Sequence, residues 1–237
     1  MKEIRVAVPW GVRDVLKALA VLVVIILPGF LLSLLPFSSG HLASSRNPLL
    51  VTLILTLMAG TLIFLAWNFG VRRYRVSFKE LGFYNFNVAW GLIQGVLWLI
   101  AVKIFAVVYG ALAMYFFRLK PPEELIRGIP DIFGSGIGGL LLAILVVSFV
   151  APIAEETFFR GFVYPALRKK FGIWAGILIS AVVFALFHAR IWLIIPVMAM
   201  GVVLAFLYEK KKSLGPSIVL HSLNNLLSII IIYAQKG

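Results

Sequence analysis

An all-α bundle of membrane-spanning helices is the fold this 237-residue sequence predicts, and three observations predict it. Only 13% of the residues are charged and 62% are hydrophobic, whereas a soluble domain of this size carries about a quarter charged residues. Apolar stretches near the ~20 residues that cross a bilayer core recur along the chain. Those stretches are continuous and do not alternate over ~10-residue segments, so helices rather than a barrel satisfy the backbone in lipid. The chain has no cysteine, which removes a thiolate nucleophile, a disulfide framework and thiolate metal sites. A net charge of +13 would suggest nucleic acid in a soluble protein. Here it suits basic loops facing anionic lipid, and no nucleic-acid partner is expected.

Seven segments follow in order, within a range of six to eight: Val15–Leu35, Pro48–Val71, Val88–Phe117, Gly138–Leu167, Ile173–His188, Trp192–Tyr208 and Leu214–Tyr233. The first is too long for a signal-peptide core and is followed by more spans, so it reads as a retained helix. Residues 1–14 before it mix apolar and charged positions and would lie on the membrane surface as an amphipathic start. The fourth is interrupted by Glu155, Glu156 and Arg160, and the fifth is short. Residues 1–136 form an N-terminal transmembrane region of about three spans, and residues 137–237 a C-terminal region that holds the chemistry. With the N-terminus in the cytoplasm, the inner segments carry 15 Lys and Arg, the outer ones 6, and Lys103 lies within a span. That asymmetry predicts an N-in, C-out protein of a prokaryotic plasma membrane. Arg72–Arg75 and Lys210–Lys212 read as orientation signals, and Lys103 as a snorkelling or salt-bridged residue.

Ionisable groups inside spans are costly, about 2.5–3.5 kcal/mol each on insertion scales, and need partners. Of nine acidic residues only Glu155 and Glu156 sit inside a long apolar run. On a helix Glu156 and Arg160 are four apart and can pair. Glu155 points about 100° away, free of a partner on its own helix, and is placed for proton transfer. His188 ends the fifth span, four residues after Phe184. His221 and Asn225 share a face of the seventh, with Asn224 pointing elsewhere. His41 lies in a loop. Each of these taken singly is more simply a helix–helix hydrogen bond. Together they form an acid/base set. An acid and an imidazole can activate water between them, and a second imidazole and an amide can hold a developing oxyanion. That chemistry is acyl hydrolysis, most naturally of a peptide.

Other membrane hydrolases are excluded by their motifs. There is no His-Glu-x-x-His, the two aspartates fall outside the spans, and Gly134-Ser135-Gly136 follows Phe133 rather than completing Gly-x-Ser-Gly. One alternative stays open: Glu155, His188 and His221 as a His₂Glu zinc site. The span boundaries also leave a problem of depth. Glu155 falls near mid-bilayer, His188 near the outer end of its span and His221 toward the inner side. A shared site requires the short helix to be shifted, tilted or followed by an irregular connection.

Glu155-Glu156-x-x-x-Arg160, Phe184-x-x-x-His188 and His221-x-x-x-Asn225, in this order on successive spans, resemble the CPBP family (CAAX proteases and bacteriocin-processing proteins, also called ABI), which includes the Ras-converting CAAX prenyl endopeptidases. The resemblance covers about residues 137–233, and Ser77–Phe83 resembles more weakly an inter-span element of bacterial members. It implies an intramembrane glutamate endopeptidase. Glu155 and His188 would activate water, His221 and Asn225 would form the oxyanion hole, and Glu156 and Arg160 would support them. It implies no required cofactor, with zinc as the metalloendopeptidase alternative, and a peptide or protein substrate that is prenylated in some members. The chain departs in ending after seven spans, where archaeal members resemble eight-span bundles. Two other functions fit the same residues: an immunity or regulatory membrane protein that keeps the motif as a packing network, and a transporter with a proton relay. The absence of an internal repeat weighs against the transporter. Substrate and oligomeric state are not written in the sequence.

Overall fold

The structure, a computed structural model, describes residues 8–33, 47–118, 122 and 124–235, and every regular element among them is helical. The helices are α1 Val12–Ser33, α2 Pro48–Arg72, α3 Val88–Phe117, α4 Glu124–Phe133, α5 Ile137–Phe171, α6 Ile173–Phe187, α7 Ile194–Lys211 and α8 Gly215–Ala234. α2, α3, α5, α8 and the stretch Ile191–Lys211 are long and apolar enough to cross a membrane. α1 and the shorter apolar α6 pack among them. The polarity is inverted relative to a soluble protein. Side chains such as Trp90, Leu97, Val107 and Phe117 of α3 are exposed, while Glu156, Arg160, Ser148, Ser180 and Ser217 are buried. Exposed apolar surface on this scale marks a lipid-facing exterior, and the chain is an integral membrane protein.

Local sequence sets the helix ends. Asn47 accepts from Leu49 N ahead of Pro48, and Asn87 accepts from Trp90 N, so both are N-caps. α3 and α7 stop at residues in the left-handed region, Arg118 and Lys212. Gly172 separates α5 from α6 at φ 82°, a conformation glycine adopts without strain.

The basic connections gather at one end of the bundle. Lys169 donates to the carbonyls of Val8 and Pro9, Arg73 pairs with Asp14, and Glu209 takes Arg168, Lys212 and Tyr164 together. Ser77–Phe83 lies at this end too. Ser77 caps the short 3₁₀ turn Phe78–Leu81, and Leu214 N donates to Gly82 O. A Cβ on Gly161 would run into the backbone of Leu81, so Gly161 lets this turn sit against α5. Two sequence expectations change at this end. Within residues 8–14, Val8 and Trp10 are buried in the core rather than lying on the membrane surface. Arg160, one of the 15 basic residues assigned to the inner segments, is enclosed within the bundle. Residues 1–7 and His41 lie outside the described residues.

Candidate active site

α5 carries the two glutamates, and it is not a uniform α-helix. π-helical stretches at Ile144–Val150 and Thr157–Val163 flank the α-turns Ala151–Glu156. π-turns occur often at functional sites and leave carbonyls poorly served by their own helix. Here side chains from elsewhere reach two of those carbonyls. Asn225 Nδ2 on α8 donates to Val147 O at 2.8 Å, and the buried Trp10 Nε1 donates to Phe162 O at 2.9 Å.

Glu156 and Arg160 form the buried pair expected from their spacing, Nη1 to Oε1 at 2.9 Å with both side chains 0% exposed. Arg160 also donates to Gly201 O on α7 at 3.2 Å, and its guanidinium lies 4.2 Å from the Phe184 ring centre. The same Glu156 oxygen receives His221 Nδ1 at 2.8 Å. One carboxylate thus ties α5 to α8, and its partner Arg160 ties α5 to α7.

Glu155 faces the other way. Its Oε2 stands 3.9 Å from His188 Nε2 and 3.8 Å from His221 Nε2. These separations are too long for direct hydrogen bonds and are of the size a bridging water spans. The partners of the two rings assign their tautomers. His188 Nδ1 lies 2.9 Å from Phe184 O, which can only accept, and His221 Nδ1 lies against the Glu156 carboxylate. Each Nδ1 therefore carries hydrogen, and each ring turns its Nε2 toward Glu155.

The depth problem resolves through the α5–α6 hairpin. Glu155 lies 17 residues before Gly172 and His188 lies 16 after it, so an antiparallel pair brings them level. α6 is short because it needs only to reach Glu155. Beyond Phe187 the chain turns through Ala189 at φ 49° and the 3₁₀ turn Ile191–Leu193.

Five of the six sequence-derived residues therefore meet, Glu155 with His188 and His221, and Glu156 with Arg160 and His221, while Asn225, one turn beyond His221 on α8, bonds to Val147 O of α5. Asn224 reaches its own neighbour on the helix. Its Nδ2 donates to Asn225 Oδ1 at 3.2 Å. Lys103 donates to Ser228 Oγ at 2.8 Å, a hydroxyl partner and not a salt bridge. Sequence reasoning missed Trp10, Gly201 O and Val147 O. The two carbonyls leave no trace in residue type, and Trp10 was legible only as an aromatic in a mixed segment.

Two imidazole nitrogens and a carboxylate, with each Nδ1–H tied to an oxygen, are donors of the kind zinc accepts. Tetrahedral ligands at 2.0–2.1 Å from zinc stand about 3.3 Å apart. The separations here are 3.8 and 3.9 Å, and no group of three His, Asp or Glu side chains among the described residues is arranged to hold a metal ion. As placed, the side chains do not fit the ion.

Comparison with known proteins agrees with this part of the chain. Residues 137–227 match the family model described as type II CAAX prenyl endopeptidase Rce1-like. A Bacillus subtilis (strain 168) protein named "Putative membrane peptidase YdiL" is 32% identical over 139 residues, 57% of this chain and 55% of that protein. A Lactococcus lactis subsp. lactis (strain IL1403) protein named "UPF0177 protein YxdF" is 28% identical over 100 residues, 42% of this chain and 54% of that protein. The chain thus spans about half the length of the curated relatives it matches. No solved structure matches significantly. Glu155, Glu156, Arg160, His188, His221 and Asn225 all lie inside the segment that matches, so it is this segment that is similar to the CAAX-protease-like membrane proteins.

Proposed function

We propose that this chain is an intramembrane endopeptidase that hydrolyses a peptide bond with water activated by Glu155 and His188. The observation that carries the reading is the convergence of two imidazole Nε2 atoms, at 3.9 and 3.8 Å, on one oxygen of a glutamate inside a lipid-embedded bundle. A packing network would bond those groups directly. Here the direct bonds lie at Glu156, and the buried Glu155 Oε2 is left without a hydrogen-bond partner.

In the proposed reaction water lies between Glu155 and His188. Glu155 takes one proton as the water oxygen attacks the peptide carbonyl carbon, and His188 Nε2 accepts a hydrogen bond from the other hydrogen. Asn225 gives one N–H to Val147 O and has a second for the oxyanion. With Nδ1–H committed to Glu156, His221 serves the oxyanion only in its doubly protonated form. Collapse breaks the C–N bond, and the proton held by Glu155 passes to the leaving nitrogen. No step runs through a metal. Glu156 and Arg160 hold His221 and the α5 turn in position. The basic residues gathered at one end of the bundle support the orientation with that end, and the N-terminus, in the cytoplasm of a prokaryotic plasma membrane. The substrate is a membrane-associated peptide or protein, with prenylated CAAX-type C-termini among the chemistries to test.

The test is cleavage of a panel of quenched peptides, one of them farnesylated, by detergent-purified protein. Wild type, Glu155→Gln and a chelator-treated sample run side by side. A drop of roughly 10²–10⁴-fold in Glu155→Gln is expected, the usual contribution of a general acid/base, with activity kept in chelator. Full activity in Glu155→Gln sinks the proposal. Loss in chelator, restored by zinc, replaces the water mechanism with the metal one. Absence of cleavage by wild type moves the weight to the immunity protein.

A further inference from the structure

Lys103 lies at the middle of α3, 15 residues after Val88 and 14 before Phe117. That is about 20 Å of helix from either end, so the side chain does not snorkel to a membrane surface. Among the described residues it meets no acid, and its Nζ donates to Ser228 Oγ of α8 at 2.8 Å. An ammonium kept in lipid without an anion is costly, and such a residue is retained for a function. The hydroxyl it meets is on the side of α8 that carries His221 and Asn225. Ser228 follows Asn225 by three residues and His221 by seven, so the three lie within about 60° around the helix. Ser228 Oγ gives its own hydrogen to Asn224 O at 2.8 Å. Lysine can only donate, which fixes that direction. Asn224 Nδ2 then donates to Asn225 Oδ1 at 3.2 Å, and Asn225 Nδ2 to Val147 O of α5 at 2.8 Å. A run of polar contacts from α3 to α5 therefore passes through the Asn225 amide.

We infer that Lys103 is a positioning residue for the oxyanion side of the reaction: it clamps the α8 turn from Asn224 to Ser228 and so fixes the Asn225 amide. The inference rests on the protease reading and on the task that reading gives Asn225. A charged donor holds a hydroxyl more firmly than a neutral one, and more so where no water competes. With its Oδ1 taken by Asn224 and one N–H by Val147 O, Asn225 has a single direction left for its second N–H. Releasing Ser228 loosens the turn that carries Asn224, and the amide is then free to tilt. The donor is needed only when negative charge appears on the substrate oxygen, so the effect of Lys103 falls on kcat and not on KM.

The experiment uses the full chain in detergent and the quenched peptide that wild type cleaves fastest. Lys103→Met is expected to lower kcat about tenfold, short of the roughly 10²–10³-fold for loss of an oxyanion donor itself in Asn225→Ala. Its KM is expected to stay within about twofold of wild type. Lys103→Arg keeps a charged donor and is expected to restore most of the lost kcat. Added to Asn225→Ala, the Lys103→Met change is expected to cost less than about twofold, because the two residues act in one chain. Should Lys103→Met fail to fold, Ser228→Ala removes the other half of the bond and no charge. It is expected to show the same loss in kcat and the same silence beside Asn225→Ala. Four results overturn the positioning role and leave the protease reading standing: wild-type kcat in Lys103→Met or in Ser228→Ala, a loss that falls on KM, a Lys103→Arg protein as slow as Lys103→Met, or a loss of full size that persists beside Asn225→Ala. Absence of cleavage of every peptide by wild type, in detergent and in liposomes, overturns both.

Discussion

Arg160→Met should be among the most damaging single substitutions outside the reacting groups, and its size follows from the geometry. Both Arg160 and Glu156 are 0% exposed and joined at 2.9 Å. Removing the guanidinium leaves the Glu156 carboxylate enclosed, with His221 Nδ1 as its remaining hydrogen-bond donor. It also deletes the bond to Gly201 O and the stacking on Phe184. Breaking one partner of a buried ion pair costs about 3–5 kcal/mol. Methionine fills much of the vacated volume, so the loss is electrostatic rather than a cavity. For a chain of 150–250 residues each kcal/mol moves Tm by about 2–4 °C, which gives roughly 6–20 °C here. The double variant Glu156→Gln/Arg160→Met removes both charges, and replacing a whole buried pair is often close to neutral, so it should recover most of that loss. Thermal unfolding in detergent, followed by the fluorescence of the six tryptophans, measures all three proteins. A single variant within about 2 °C of wild type, or a double variant no more stable than the single, would refute the idea that the pair is a charge-compensated unit.

Two further predictions concern the N-terminal segment. Trp10→Phe keeps most of the ring packing against Phe162, at a centroid distance of 5.9 Å, but removes the donor to Phe162 O. Leaving that buried carbonyl short of a partner should cost about 1–3 kcal/mol, read as a lower Tm in detergent, and an unchanged Tm contradicts the bond. Tyr74 donates to Asp14 Oδ2 at 2.7 Å. That bond first, then burial and the Asp14 charge, raise the phenol above its ordinary value of 10.0, against an opposing effect of Arg73. A group whose pKa is raised by folding contributes stability that is complete below its unfolded value and is lost as pH rises through the folded one. The Tm gap between wild type and Tyr74→Phe should therefore be full below pH 10 and shrink above it, and a gap that stays constant into strong alkali argues against the coupling.

The spans were legible because lipid imposes one rule on every residue of a helix face, and that rule is written in composition. α3, Val88–Phe117, was read to the residue, since Asn87 marks its start and the apolar run its end. The Glu156–Arg160 pair was legible because helical spacing alone brings the two together. The meeting of Glu155 with His188 was not legible. Counting spans at equal length puts His188 at the outer surface, and only the shared turn at Gly172 shows that α6 rises as far as Glu155 and no further. Trp10 was misplaced for a related reason. A mixed apolar and charged stretch fits a membrane surface and a buried anchor equally well, and what decides between them is a carbonyl 152 residues away.

That carbonyl belongs to one of the two π-helical stretches that flank the α-turns carrying both glutamates. Each π-turn accommodates an extra residue, so it rotates everything beyond it relative to an unbroken α-helix. The N-terminal part of α5 can therefore pack Ala143 and Val146 against Ile229 of α8, while its C-terminal part presents Tyr164 to Tyr208 of α7. Between them Ala151–Glu156 turns Glu155 to the gap and Glu156 to Arg160. In lipid such deformation persists only where the freed carbonyls find donors. Asn225 supplies one at Val147 and Trp10 the other at Phe162. Asn225 is then bound to two tasks, since the N–H it gives to α5 fixes the amide whose other N–H is assigned to the oxyanion. Its position is set by the same helix that carries Glu155, so the two sides of the proposed reaction cannot shift independently.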